Sequence, residues 1–200
     1  THLIDTDGKG VERITEKGVV ANGTEYEVDC IVYASGFEVG TPLERRTGFD
    51  PRGRGGVTLS QYWADGMRTK HGMHVHGFPN AFLVQATQAA NLISNYPHNL
   101  VDAAQTISRV VSHAEALGAR QVEVSKEAED AWVNLLLTGM GLMIGSPDCT
   151  PGYYNNEGRD PGPQARYFVG YPAGAVAFFN YIQGWRTSGK FEGLEFRKEA

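Results

Sequence analysis

Apolar residues in the first part of the chain alternate with polar residues or form short runs between turn signals. Turns are indicated at Asp7-Gly8-Lys9-Gly10 and at Asn22-Gly23, because glycine and asparagine tolerate left-handed backbone angles. The segments between these turns have the two-residue period of β-strands. The sequence therefore predicts strands over residues 1–4, 11–15 and 26–34, and we expect the last of these to be buried.

The apolar residues of the segment 97–117 follow a helical period. Apolar residues recur there at intervals of three and four, which places them on one face of an α-helix. Pro97 suits the first turn of this helix and Gly118 suits its end. The short apolar run at residues 82–84 indicates a buried parallel strand before the helix. The polar residues between them form the loop of a predicted strand–loop–helix unit.

Two more helices and two loop-rich stretches complete the predicted elements. One helix follows Ser125, whose side chain favours the cap position, and another covers about residues 173–185. Residues 37–56 and 139–163 are rich in glycine and proline and are predicted to be mainly loop. A β-rich first part, the strand–loop–helix unit, and C-terminal helices and loops together predict an α/β fold.

Composition narrows the class of protein. The chain has 41% hydrophobic and 20% charged residues, and 18 Lys and Arg against 23 Asp and Glu give a net charge of -5. No basic stripe interleaves with aromatic residues, so we expect no nucleic-acid partner. No apolar run is long enough to cross a bilayer, so we expect no membrane association.

The ends and the two cysteines indicate a cytoplasmic piece of a longer protein. The N-terminus has neither an initiating Met nor a basic targeting region, and we expect the chain to be part of a longer polypeptide. Cys30 lies in the predicted buried strand and Cys149 in a predicted loop, which argues against a disulfide. Cys149 has no nearby His or Lys in sequence to activate it, so a nucleophilic thiol is not expected.

The strand–loop–helix unit is the main candidate for chemistry. The start of a helix gathers unpaired N–H groups and the positive end of the helix dipole, which attract anionic or electron-rich ligand edges. The pyrimidine edge of a flavin ring is such an edge. The alternative is an ordinary loop between a strand and a helix in any α/β protein, and spacing alone favours that alternative.

Three histidines raise the possibility of a metal site. His71, His74 and His76 are close in sequence, but on a strand only the last two would share a face. No carboxylate or thiol completes a tetrahedral set, so we predict no metal site here.

Two segments resemble Baeyer–Villiger monooxygenases, a family of flavoproteins. The segment Asp29-Cys-Ile-Val-Tyr-Ala-Ser-Gly-Phe37 resembles the Ala-Thr-Gly linker between the family's nucleotide-binding domains, with Ser35 in place of Thr. Gly77-Phe-Pro-Asn80 and the later Ser94-Asn95 resemble the family's Gly-Phe-Pro-Asn segment and flavin-contacting loop. The resemblance implies that Ser35, Gly36, Asn95 and Tyr96 contact cofactor, and that Asn91, Leu92 and Ile93 shape the substrate pocket.

Other positions resemble the family less closely. Trp63 resembles a family Trp that precedes the Gly-Phe-Pro-Asn segment, but we favour a packing role for it. The segment Cys149-Thr-Pro-Gly-Tyr-Tyr-Asn-Asn-Glu-Gly158 resembles a decapeptide found in a subset of the family. Gln85-Ala-Thr-Gln-Ala-Ala90 departs from the Gly- and Pro-rich loop of relatives, so the substrate preference of those relatives does not transfer.

The resemblance implies a partial flavoprotein with two dinucleotide-binding domains. Residues 1–36 would be the tail of the NADPH-binding domain, 37–118 the C-terminal part of the FAD-binding domain, and 119–200 a C-terminal region of helices and loops. The complete enzyme would use FAD, NADPH and O2 to insert one oxygen atom next to the carbonyl of a ketone substrate, giving an ester or lactone.

Phosphate-binding loops are missing from the sequence. No Gly-x-Gly-x-x-Gly motif occurs in it, and the family's active-site Arg lies upstream in relatives. We therefore assign no catalytic residue and expect the chain alone to be inactive. Two alternatives stay open: an N- or S-oxidising flavin monooxygenase, which shares the linker, and a non-catalytic binding or scaffold module.

Overall fold

The computed structural model describes residues 1–34, 44, 47–91, 95–139 and 167–198. The described residues up to 34 belong to one compact unit, and those from 44 onward belong to another. The presence of both strands and helices confirms the predicted α/β class.

The first unit contains a small antiparallel sheet. Its strands follow one another along the chain in the order β1-β2-β3, with the bounds Arg13–Ile14, Gly18–Ala21 and Thr24–Glu27. Asn22 and Gly23 join β2 to β3 with φ angles of 51° and 72°, and Ala21 pairs with Thr24 across this turn. The turn predicted from Asn-Gly is therefore confirmed, since both residue types tolerate positive φ.

The predicted strands of the first unit are longer than the observed ones. Residues 1–4 form no strand, and residues 11–15 contribute only the two residues of β1. The prediction for residues 26–34 was also wrong after Glu27, because Val32 and Tyr33 are 81% and 76% exposed and Cys30 is exposed too. A strand needs a neighbour that pairs with its N–H and C=O groups. No described strand pairs with residues 29–34.

The second unit packs its long helices around a main apolar core and adds a two-stranded sheet. Buried side chains of this core include Val110, Trp132, Leu136 and Ile182. The helices are α1 (Leu59–Tyr62), α2 (Tyr96–Leu117), α3 (Lys126–Thr138) and α4 (Ala175–Ser188), and the strands are β4 (Gln121–Val124) and β5 (Leu194–Arg197). β4 and β5 are antiparallel.

The ends of the long helices follow local sequence signals. The Asn95 side chain accepts a hydrogen bond from the His98 N–H at the start of α2, and Gly118 ends it with a φ of 66°. Ser125 Oγ accepts from the Ala128 N–H at the start of α3. These caps satisfy backbone groups that a helix leaves unpaired. The predicted helices over 97–117 and after Ser125 are confirmed, and α4 lies two to three residues further along the chain than predicted.

The predicted parallel strand over residues 82–84 was wrong. Phe82 forms only an isolated antiparallel bridge with His74, and the Leu83 N–H donates to Met73 O at 2.9 Å. Val84 is 51% exposed. A run of three apolar residues does not distinguish a strand from a packed coil, and here one neighbouring segment holds the run in place.

The Gly-Phe-Pro-Asn segment is docked on β4 by Asn80. The Asn80 N–H donates to Val122 O at 2.9 Å, and Asn80 Oδ1 accepts from the Val122 N–H at 2.9 Å. Asn80 Nδ2 also donates to Arg120 O at 2.9 Å. Asn80 has a φ of 59°, in the left-handed region that asparagine tolerates better than most residues. Its side chain therefore pairs with β4 as a second peptide group would.

Two buried carboxylates hold the first residue of this segment and the residue before it. Glu123 on β4 accepts from the Gly77 N–H, and Glu129 on α3 accepts from the His76 N–H, both at 2.9 Å. Glu129 also accepts from the Tyr62 hydroxyl at 2.5 Å. Burial alone would raise the pKa of Glu123, but hydrogen bonds from Arg54 and the Gly77 N–H lower it overall. Paired in this way, the carboxylates are stable inside the unit.

Candidate functional site

The start of α2 is open to solvent. Asn95 is exposed and Tyr96 is 44% exposed, and the first turn contains no acidic residue. The positive end of this 22-residue helix is therefore accessible and is not neutralised by its own side chains, as binding of an electron-rich or anionic group requires. The other predicted site residues, Ser35, Gly36, Leu92 and Ile93, lie outside the described residues.

Asn99 joins two of the predicted site residues. Its Nδ2 donates to Asn91 O and to Asn95 O, each at 3.3 Å. Asn99 is buried on the face of α2 that also buries Ala103 and Val110. The structure thus brings the predicted pocket residue Asn91 and the predicted cofactor residue Asn95 to one side chain. Sequence reasoning missed Asn99, although a polar residue on an apolar helix face was a usable signal.

The loop before Asn91 is fixed by the segment 167–171. The Gln88 N–H donates to Val169 O, and the Tyr171 N–H donates to Ala89 O, both at 2.8 Å. Gly170 lies so close that a Cβ built on it would be 2.5 Å from the Cβ of Asn91. Asn91 itself is buried, with a φ of 62°. Residues 88–91, which lead into the predicted pocket residues, therefore have a defined backbone, which a binding loop needs.

The three histidines lie in different environments. His71 is fully buried in T-shaped ring contacts with Trp132 and Trp185, and its Nε2 is 3.0 Å from the Tyr181 hydroxyl. Burial lowers the pKa of His74 to about 3, and the Nδ1–H of His76 donates to a backbone oxygen of β4. Among the described residues, no group of three or more His, Cys, Asp or Glu side chains could hold a metal ion.

Trp63 packs within the second unit. Its Nε1–H donates to Arg68 O at 2.9 Å, and its ring contacts the apolar clusters of Leu59 and Met67. This placement agrees with the packing role favoured from the sequence. Cys149 and the decapeptide that begins with it lie outside the described residues.

Comparison with known proteins identifies the family. No protein-family model matches the chain. A Baeyer-Villiger monooxygenase from Streptomyces coelicolor is 43% identical over 96% of the chain, and the FAD-binding monooxygenase hmp7 from Hypomyces subiculosus is 42% identical over 96%. The chain covers 32% of each of these relatives.

Solved structures agree with the sequence relatives. The polycyclic ketone monooxygenase of Thermothelomyces thermophila matches 100% of the chain with a TM-score of 0.88 and 32% identity, over 32% of its own length. The chain belongs to the Baeyer–Villiger monooxygenase family. A steroid monooxygenase solved with NADP shares the fold, with a TM-score of 0.73 and 23% identity over 99% of the chain and 35% of its own length.

Family membership confirms the resemblance predicted from the linker and from Gly-Phe-Pro-Asn. The chain spans about a third of the length of these curated relatives. In it, the Gly-Phe-Pro-Asn segment binds β4, the preceding residue His76 binds α3, and the segment has a structural role. No helix in the described ranges is long and apolar enough to cross a membrane.

Proposed function

We propose that the complete protein is an FAD- and NADPH-dependent monooxygenase that inserts one oxygen atom from O2 next to the carbonyl of a ketone, giving an ester or lactone. The observation that carries this proposal is the match of nearly the whole chain to Baeyer–Villiger monooxygenases in both sequence and fold. FAD is supported by the 42% identical relative hmp7, which is an FAD-binding monooxygenase. NADPH and O2 follow from the family resemblance of the sequence.

The start of α2 fits one edge of a flavin. Its exposed first turn presents the positive end of the helix dipole and contains no acidic residue, and a flavin ring gains negative charge on its pyrimidine edge when it is reduced. FAD would supply the redox chemistry when bound. In our proposal Asn95 and Tyr96 hold the ring edge, and Ser35 and Gly36 contact cofactor at the linker.

The loop that contains Asn91 is our proposed wall of the ketone pocket. The Asn99 amide binds the carbonyls of both Asn91 and Asn95, so the proposed pocket loop and the proposed flavin-binding turn share one support. The family resemblance assigns the same pocket to Leu92 and Ile93. The division at residues 36 and 118 into NADPH-binding, FAD-binding and C-terminal regions stays a prediction for the complete protein.

The proposal is tested with the complete protein and isotopically labelled O2. Purified protein with FAD is given NADPH and a panel of cyclic and polycyclic ketones, amines and sulfides, and the products are identified by mass spectrometry. We expect ketone-dependent NADPH oxidation and one labelled oxygen atom in an ester or lactone. Labelled amine or sulfide oxides without any ester or lactone would instead assign the protein to the N- or S-oxidising class.

A substitution at Leu92 tests the pocket assignment. In the complete protein, we expect Leu92→Ala to change the relative kcat/KM of small and large ketones by about tenfold, the scale of one or two methylene contacts in an apolar pocket. NADPH oxidation without ketone should stay near the wild-type rate. Equal losses in both rates would argue against a pocket role for Leu92.

A further inference from the structure

The side chain of Gln88 is fully buried and makes three hydrogen bonds. Its Nε2 donates to Met67 O at 2.7 Å and to Tyr167 O at 3.1 Å. Its Oε1 accepts from the Thr69 hydroxyl at 2.6 Å. Both amide protons and the carbonyl oxygen of the side chain are therefore used, as a buried amide requires.

The backbone of Gln88 makes two further connections. Its N–H donates to Val169 O at 2.8 Å, and its carbonyl accepts from Trp132 Nε1 at 3.0 Å. Its φ of 59° lies in the left-handed region, which costs a residue with a Cβ free energy and persists only where the surroundings impose it. One residue thus connects the segments 67–69 and 167–169 to helix α3.

The position of Gln88 in the chain links these contacts to the proposed pocket. The turn that contains it is closed by the Asn91 N–H, which donates to Ala86 O at 2.9 Å. Asn91 in turn presents its carbonyl to Asn99, which also holds Asn95. Only Ala89 and Ala90 therefore separate Gln88 from Asn91, the first residue of the proposed pocket loop.

The sequence around Gln88 explains why side-chain hydrogen bonds hold this loop. Residues 85–90 contain no Gly or Pro, whereas the family resemblance leads us to expect a loop rich in both. Proline restricts a loop through its own ring. Without proline, the same restriction has to come from contacts, and Gln88 supplies five hydrogen bonds in this loop.

We propose that Gln88 is a positioning residue, which fixes the ketone-binding loop relative to the start of α2. It acts through the backbone of Asn91 and does not itself contact substrate. This inference rests on the proposed function, because it requires that the loop line a ketone pocket. It adds a specificity determinant that lies outside the pocket.

The test compares Gln88→Leu with a matched control in the complete protein. Leu is similar in size to Gln and removes all three side-chain hydrogen bonds. The control is Thr106→Val, because Thr106 is also fully buried, donates to Asp102 O at 2.8 Å and accepts from Arg186. The measured quantities are the melting temperature, the KM values for ketone and NADPH, and the ratio of oxygenated product to NADPH consumed.

We expect Gln88→Leu to raise the ketone KM about tenfold, as the loss of a buried hydrogen-bond set that orders a binding loop implies. The ratio of product to NADPH should fall, while the NADPH KM stays within about twofold of wild type. Thr106→Val should lower the melting temperature but leave the ketone KM and the product ratio near wild type.

Two results would overturn the inference. One is an unchanged ketone KM and product ratio in folded Gln88→Leu; the other is an equal change in both variants at equal loss of melting temperature. If Gln88→Leu does not fold, Thr69→Val decides. Of the three side-chain bonds of Gln88 it removes only the one to Oε1, and it also removes the bond that the Thr69 hydroxyl accepts from the Gly72 N–H. A smaller rise of the ketone KM supports the inference, and no rise refutes it. Wild-type protein without ketone oxidation would refute the proposed function instead.

Discussion

Replacement of Asn80 tests whether the Gly-Phe-Pro-Asn segment is a structural clamp. In Asn80→Ala, the two hydrogen bonds made by the side chain are lost, and alanine must adopt a φ of 59°. Asn80→Asp keeps the oxygen that accepts from the Val122 N–H. Asn80→Gly loses both bonds but adopts positive φ without strain. The three variants therefore separate the hydrogen bonds from the backbone strain.

The expected cost follows from the contacts. An unpaired N–H of the buried residue Val122 costs about 1–3 kcal/mol, and a left-handed backbone costs alanine about 1 kcal/mol more. We therefore expect Asn80→Ala to lower the free energy of unfolding by about 2–4 kcal/mol. Asn80→Gly should lose about 1 kcal/mol less than Ala. Asn80→Asp should stay within about 1 kcal/mol of wild type, because only the exposed bond to Arg120 O is lost.

Urea unfolding followed by tryptophan fluorescence measures these differences. The three tryptophans of the chain are Trp63, Trp132 and Trp185, and all belong to the second unit, so the signal reports the unit that contains Asn80. A loss below about 0.5 kcal/mol in Asn80→Ala, the usual effect of a surface substitution, would refute the clamp. So would an Asp variant that is as unstable as the Ala variant.

Two further predictions concern buried ionisable groups. Burial lowers the pKa of His74 from 6.5 to about 3, so the unfolded chain takes up the proton first as the pH falls. Between pH 7 and 5, His74 should therefore lower the free energy of unfolding by about 2 kcal/mol. Urea unfolding at both pH values should show a pH dependence that is smaller by this amount in His74→Leu. Glu129→Leu leaves the Tyr62 hydroxyl and the His76 N–H without their acceptor. We therefore expect it to lower the free energy of unfolding by about 3 kcal/mol, compared with about 1 kcal/mol for the control Tyr62→Phe. Equal losses in that pair would show that the carboxylate contributes nothing beyond the tyrosine bond.

Elements with local signals were predictable from the sequence. Helix α2 has an apolar period, Pro97 in its first turn and Gly118 at its end, and each signal acts within a few residues. Helix α1 carries a local signal as well, since Thr58 and Gln61 form a capping box. It was missed because only four residues follow the cap, too few to show a period.

Elements that depend on distant partners were not predictable. β5 pairs with β4 across some seventy residues of chain, and residues 82–84 failed to form a strand although their composition favoured one. The burial of the Gln88 side chain was not predictable either, because its partners at Met67, Thr69 and Tyr167 are distant in sequence; Asn99 carried a local signal through its place on the apolar face of α2. The family resemblance located the candidate site. The hydrogen bonds of Gln88 and Asn99 that hold it could be recognised only from the contacts of the folded chain.

The hydrogen bonds made by Asn99 have a consequence for protein engineering. They end on main-chain carbonyls of Asn91 and Asn95, which every amino acid possesses. Side chains at positions 92–94 can therefore be exchanged without loss of the two anchor points on either side. A library randomised at those three positions should retain a high share of folded members, whereas one randomised at Asn99 should not.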